Sequence, residues 1–325
     1  MTNLYRLKLP GEVAGRDFDQ DDPLAAATSG FGVSVLSSPP AQSPPVITVG
    51  RDDVIVVDLT EAIHGPAAIA VHGSSAVKSG GGGGGLLTTY TSGAPGGYNV
   101  TISFKGTWTS GLQSIFTGVA DRISTIITAD VPDVLFRGIK IDDILITAEL
   151  KAIDGVGGIL GQAGPTALRS GSYLPAAATM QFDSADADNY NALGLFDEIV
   201  THEMLHSIGF GSIWSYLNLV SGPTFIGAHA QTEYDRLVDA FNVSKGYASN
   251  TVSALAVPLE TGGSAGTAGS HWSEAIFKNE LMTGYINTTA IGGMVVDPLS
   301  ALTIASLWDL GYAVSAGPAN AYYLT

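Results

Sequence analysis

The chain contains no cysteine. Disulfides, thiolate metal sites and a cysteine nucleophile are therefore excluded together, and the redox state of its surroundings leaves no mark on the sequence. Cations are scarce: 14 Lys and Arg stand against 30 Asp and Glu, a formal net charge of −16. Such a surface repels phosphate backbones and anionic lipid, so no nucleic-acid partner is expected, and the charge reads most simply as an aid to solubility. Nowhere do about 18 apolar residues run unbroken, so no membrane-spanning segment is expected. The start, "MTNLYRLKLPGEVAGRDFDQDD", lacks the basic residues followed by a long apolar run of a secretory signal. The readings left are a cytoplasmic protein, export without such a signal, or a leader absent from this sequence.

What is present suffices for a core. With 325 residues and 45% hydrophobic content, the chain predicts one large domain plus an appendage. Residues 1–45 are rich in Pro, Ser, Gly and Asp without sustained periodicity, which predicts extended or disordered chain. Two apolar bursts within 46–77, "VITVGRDDVIVVDL" and "AAIAVHGSSAV", predict short strands. The glycine run Gly80–Gly85 follows; it lacks the Lys-Ser/Thr of a phosphate loop and reads as a linker.

Beyond it the texture is that of a folded domain. "YNVTISFKG" predicts a strand, and "TSGLQSIFTGVADRISTIIT" a helix whose Leu112, Ile115, Phe116, Val119, Ile123 and Ile126 recur at helical spacing behind a Thr109/Ser110 cap. "IKIDDILITAELKAID" alternates as a strand does, the glycine-rich "GVGGILGQAG" follows, and "AATMQFDSA" predicts another strand. A second long helix is expected from about Leu193 to Ile208, with Gly209 stopping it in a left-handed C-cap. This order predicts an α+β domain.

The chemistry concentrates in "HEMLHSIGFGS", residues 202–212. On a helix His202 and His206 share a face one turn apart and can grip one ion, with Glu203 beside it. A catalytic zinc usually takes three protein ligands. Six positions past His206, where a compact motif places the third histidine, stands Ser212, a poor zinc ligand. His64 and His72 precede the glycine run, leaving His229, His271, or a carboxylate such as Glu233 or Glu260.

Residues 269–285, "GSHWSEAIFKNELMTGY", taken with "HEMLHSIGFGSIW", resemble the leishmanolysin family, metzincin zinc peptidases in which an insertion separates the helix histidines from a distant third. The resemblance extends over about residues 98–325, through "PLSALTIASLWDLGY", and is nearer to bacterial members than to the cysteine-rich protozoan ones. It implies a metzincin-type catalytic domain, 98–325. Its upper subdomain (98–210) would hold a twisted mixed sheet and two helices, including the active-site helix, and its lower subdomain (211–325) would be mostly irregular or helical. It implies His271 as third ligand, Met282 as the apolar floor under the metal, polypeptide substrates and an extracellular protein.

Three neutral imidazoles would leave zinc an open position for water, whose proton Glu203 accepts and later delivers to the departing amine. Tyr285 lies three past Met282, where related enzymes place a metal-proximal tyrosine two past; it is a candidate oxyanion stabiliser, against a plain core or surface tyrosine. Trp214 and Trp272 read as packing residues and His229 as solvated. Asp183, Asp186 and Asp188 raise a calcium site, but no glycine-punctuated loop is present, and decoration of the next helix's N-terminus explains them as well. "ATMQFDS" is the candidate edge strand for an extended substrate.

The protozoan enzymes resemble a cysteine-switch design, which this chain cannot use. If residues 1–97 are a pro-segment, Asp58, His64 or His72 would have to block the metal. The competing function is a non-catalytic adhesion or binding module that keeps fold and zinc; Glu203 argues against it, since binding alone needs no base.

Overall fold

The computed structural model describes residues 54–56, 70–72, 86–157, 159–249, 254–263, 266–287 and 290–325, the first two segments by backbone alone. The segment 1–45, Asp58, His64 and the glycine run lie outside the described residues.

The principal sheet takes its strands from residues 54 to 183: β1 (Val54–Val56), β3 (Thr89–Thr91), β4 (Val100–Gly106), β7 (Ile144–Lys151), β8 (Gly161–Arg169) and β9 (Pro175–Asp183). The spatial order is β1-β8-β9-β7-β4-β3. β4, β7 and β9 run parallel, while β8 runs antiparallel to β9, β3 to β4 and β1 to β8. The short β2 (Ala70–His72) lies outside this sheet. β1 and β2 fall within the two apolar bursts.

Helix α1 (Ser110–Ile126) starts where expected, with the Thr109 hydroxyl accepting from the Leu112 amide at 3.2 Å. Leu112, Phe116, Val119, Ile123 and Ile126 form its buried stripe. Between α1 and β7 lies a hairpin of β5 (Val134–Phe136) and β6 (Ile139–Ile141), so the alternating stretch 139–154 is two strands rather than one.

Two expectations need correction. The helix expected from about Leu193 to Ile208 is α3 (Phe196–Ser207), which starts three residues later because Gly194, at φ 71°, ends a separate short helix, α2 (Ala187–Leu193). Leu193 and Leu195 preserve a helical rhythm across a break that the left-handed glycine creates. "ATMQFDS" is not an edge: it belongs to β9, which sits between β8 and β7. The strand that displaces it, β8, contains Gly161, Gly164 and Pro165 and carries register irregularities around Pro165, Ala167 and Leu168. Glycine, proline and a bulge hide the period-two pattern by which strands are recognised.

Beyond α3 come β10 (Val220–Ser221), β11 (Thr224–Phe225), α4 (Ala228–Ser244) and β12 (Val257–Pro258), then α5 (Glu274–Phe277), β13 (Tyr285–Asn287) and α6 (Ala301–Leu310). β10, β11 and β12 form a small sheet, and β13 pairs in parallel with β2. α4 packs on α6, and the Asp309 carboxylate of α6 accepts from the His229 and Ala230 amides, both at 2.9 Å, at the start of α4. Gly227 makes that approach feasible, because a Cβ there would stand 2.4 Å from Asp309 Oδ2.

The core is continuous from the sheet, through α1 and α3, to the segment before α6. Among the described residues no helix is long and apolar enough to cross a membrane.

Candidate metal centre

α3 packs against β8 and β9 and turns His202 and His206 to one side. The chain leaves the helix through Gly209 (φ 118°) and Gly211 (φ 70°), conformations that L side chains rarely adopt. Gly211 matters for a second reason: a Cβ there would lie 2.3 Å from the Ser270 carbonyl oxygen, so only glycine lets this loop touch the residue before His271. An aromatic cluster binds the same two segments, Phe210 packing on Trp214 at 4.7 Å and on Trp272 at 5.1 Å between centroids. Edge-to-face pairs of this kind contribute about 0.5–1.5 kcal/mol each beyond burial.

His202, His206 and His271 thereby meet. Their Nε2 atoms are 2.9 Å (His202 to His206), 3.1 Å (His202 to His271) and 3.1 Å (His206 to His271) apart. Each Nδ1 faces a backbone carbonyl: Leu281 at 2.8 Å for His202, Phe210 at 2.9 Å for His206 and Thr267 at 3.1 Å for His271. A carbonyl oxygen can only accept, so each Nδ1 carries the proton and each Nε2 presents a lone pair. Burial first, then the neighbouring imidazoles, hold the His202 and His206 pKa values well below the ordinary range and push His271 down to about 3. Three neutral imidazoles thus converge three lone pairs on one point, an arrangement that repels itself unless a cation sits there. A zinc fits, since the nitrogens are closer together than twice the Zn–N length of about 2.0–2.1 Å.

Glu203 is fully buried, and neither carboxylate oxygen has a hydrogen-bond partner among the described residues. Burial alone raises its pKa well above the ordinary carboxylate range. The start of β8 makes room for it, because a Cβ on Gly161 would meet Glu203 Cγ at 3.1 Å.

Residues 137–321, more than half of the chain, match the leishmanolysin peptidase family. The chain belongs to that family. It is a metallopeptidase with an intact histidine triad. No curated protein matches the chain in sequence.

The other third-ligand candidates of this leishmanolysin-family domain are engaged elsewhere. His229 stacks on Trp308 at 3.9 Å and bonds Asp309 at 2.8 Å. Glu233 pairs with Arg236, and Glu260 accepts from the Thr261, Gly262 and Glu274 amides. Ser212 donates to the His206 carbonyl at 2.8 Å, which ties down the loop after α3. Met282 is fully buried directly after Leu281, whose carbonyl holds His202. Tyr285 is half-buried at the start of β13. Trp214 and Trp272 are buried packing residues.

Among the acidic residues raised for calcium, Asp183 accepts from the Ile153, Asp154, Gly155 and Ala185 amides and Asp186 from that of Gly157, while Asp188 is exposed in the first turn of α2. These carboxylates tie the loop after β7 to the end of β9. A further acidic group, Asp130, Asp142 and Asp143, is partly committed too, since Asp143 accepts from the Asn99 and Val131 amides.

The sequence reading missed Gly161, Gly211 and the three carbonyls. For the glycines the signal was present in "GVGGILGQAG" and "GFGS"; for the carbonyls there was none, since every residue has one.

Proposed function

We propose that the protein is a zinc endopeptidase cutting internal bonds of extended polypeptides, with His202, His206 and His271 as metal ligands and Glu203 as general base. The observation that carries the reading is the convergence of three proton-free Nε2 atoms beside a buried carboxylate that has no partner of its own. Zinc bound there supplies Lewis-acid polarisation of the scissile carbonyl and acidification of the attacking water. Glu203 takes the proton from that water as the C–O bond forms and passes it to the departing amine nitrogen as the C–N bond breaks. Met282 closes the apolar floor, and Tyr285 is assigned to the developing oxyanion.

In this reading the catalytic unit spans 98–325, an upper part to residue 210 and a lower part from 211 meeting at the triad, with β3 added to the sheet's far edge. Substrate pairs along β8, whose outer edge is free once β1 is discounted. An extracellular location rests on the family likeness alone.

The test is zinc content together with a digest of an unbiased peptide library by wild type and Glu203→Ala. Wild type should carry one zinc and cut internal bonds, and Glu203→Ala should keep the zinc while losing about 10²–10⁴-fold in rate. Zinc-loaded wild type that cuts nothing, with or without residues 1–97, contradicts the reading.

Of residues 1–97, the part up to the glycine run is read as a removable pro-segment, while β3 stays paired with β4. Two backbone pairings support this. β1 lies antiparallel on the edge of β8, Val54 opposite Arg169 and Val56 opposite Ala167, filling the place an extended substrate would take. β2 lies along β13, Tyr285 opposite Ala70, just past Met282. A tethered strand competes with substrate at an effective concentration on the order of mM, so cleavage within Gly80–Gly85 should raise kcat/KM by roughly tenfold or more. Equal activity before and after the cut contradicts the pro-segment. Of the blocking donors, Asp58 and His64 lie outside the described residues, and His72 is the last residue of β2.

A further inference from the structure

Glu280 is fully buried ahead of the Met282 turn, and every partner of its carboxylate is a donor. Oε1 accepts from the Ser300 amide at 3.1 Å, the Ser300 hydroxyl at 2.6 Å and the Thr303 hydroxyl at 2.6 Å; Oε2 accepts from the Met282 amide at 2.6 Å. One side chain thus clamps the turn to the first residues of α6. The turn holds the metal site in two ways. The Leu281 carbonyl, next in the chain to Glu280, takes the Nδ1 proton of His202 at 2.8 Å. The Met282 carbonyl accepts from the Trp272 amide at 3.0 Å, the residue directly after His271. A second arm reaches Trp272 through Thr303, whose oxygen accepts from the indole Nε1 at 2.8 Å, so that its own hydrogen is free to point at Glu280.

We propose that Glu280 is a positioning residue for the metal centre, fixing the His202 imidazole through the Leu281 carbonyl and the His271 segment through Thr303 and Trp272. Its role is orientation of ligands and not contact with substrate. Buried hydrogen-bonded networks of this kind act as units, and loosening the groups behind metal-bound histidines typically weakens metal binding or activity by about 10–100-fold. The inference rests on the zinc reading above.

The experiment is zinc affinity by chelator competition, kcat and KM on one peptide, and thermal unfolding with and without zinc, for wild type, Glu280→Gln and Thr303→Val. Glutamine keeps the shape but replaces one acceptor oxygen with a donor, which opposes either the Met282 amide or the Ser300/Thr303 donors. Glu280→Gln should bind zinc about 10–100-fold more weakly, with kcat reduced and KM within about twofold of wild type. Thr303→Val should show a smaller loss in the same direction, roughly threefold to tenfold, and it serves as the test should Glu280→Gln not fold. A merely structural role predicts equal drops in melting temperature with and without zinc, and unchanged zinc affinity and kcat; that result overturns the assignment. Wild type that binds no zinc at all refutes the zinc reading instead, which keeps the two failures distinct.

Discussion

The metal centre is built from two regions that solve the same problem by different means. In α3 the His202 and His206 positions follow from helical periodicity, four residues apart in one continuous element. The downstream wall reaches the same point from 65 residues further along the chain, with no long element at the site. His271, Leu281 and Met282 sit in short turns, held by buried polar groups: Glu280, Ser300 and Thr303 are each no more than 1% exposed. The helical half is rigid through its backbone ladder. The downstream half is rigid only as long as its hydrogen bonds are complete, which makes it more sensitive to single polar substitutions and less visible in sequence.

The largest effect expected is at the junction. His271→Ala should weaken zinc by more than about 100-fold, beyond the usual range for residues behind the ligands, or give misfolded protein; His229→Ala should keep metal and activity. Metal analysis of the two purified variants decides, and exchanged outcomes would break the downstream half of the account.

Two glycines separate the halves further. Gly211→Ala forces a Cβ toward the Ser270 carbonyl at a positive φ, costing roughly 2–3 kcal/mol or more and weakening zinc along with stability. Gly161→Ala presses on Glu203 Cγ and on the Phe182 ring but on no metal ligand, so kcat should fall while zinc is retained. A Gly211→Ala protein with unaltered melting temperature and zinc affinity would show that the contact between the regions is slack.

The smallest effect is a pH dependence contributed by one carboxyl of the downstream half. Asp297, 3% exposed, has its pKa raised to about 7 by burial, opposed by hydrogen bonds from the Asn287 side chain and amide. A carboxyl whose folded-state pKa is raised binds its proton more tightly when folded. Its contribution is therefore full below the unfolded value of about 4 and is lost as pH rises toward about 7. Melting temperature should decline by a few degrees across that window in wild type and less in Asp297→Asn. Identical pH profiles would remove Asp297 as the cause.

Legibility in the sequence followed the same divide. α1 and the His202/Glu203/His206 set were readable because helical spacing and capping are local. His271 was reached only through a family likeness, since ligand identity across an intervening helix and small sheet leaves no periodic signal. The start of α3 reads three residues early because the rhythm survives the Gly194 break, and β8 was hidden by its glycines and proline. Glu280 was unremarked because a buried acceptor looks like any surface glutamate until Ser300 and Thr303 are brought to it by the fold.

The central claim is that three proton-free imidazole nitrogens hold one zinc. Zinc X-ray absorption on the purified protein tests it most directly. The account predicts a first shell of three imidazole nitrogens plus one light atom at about 2.0–2.1 Å, with the imidazole count falling in His271→Ala. A shell with two or fewer imidazoles in wild type, or one unchanged by His271→Ala, would contradict it.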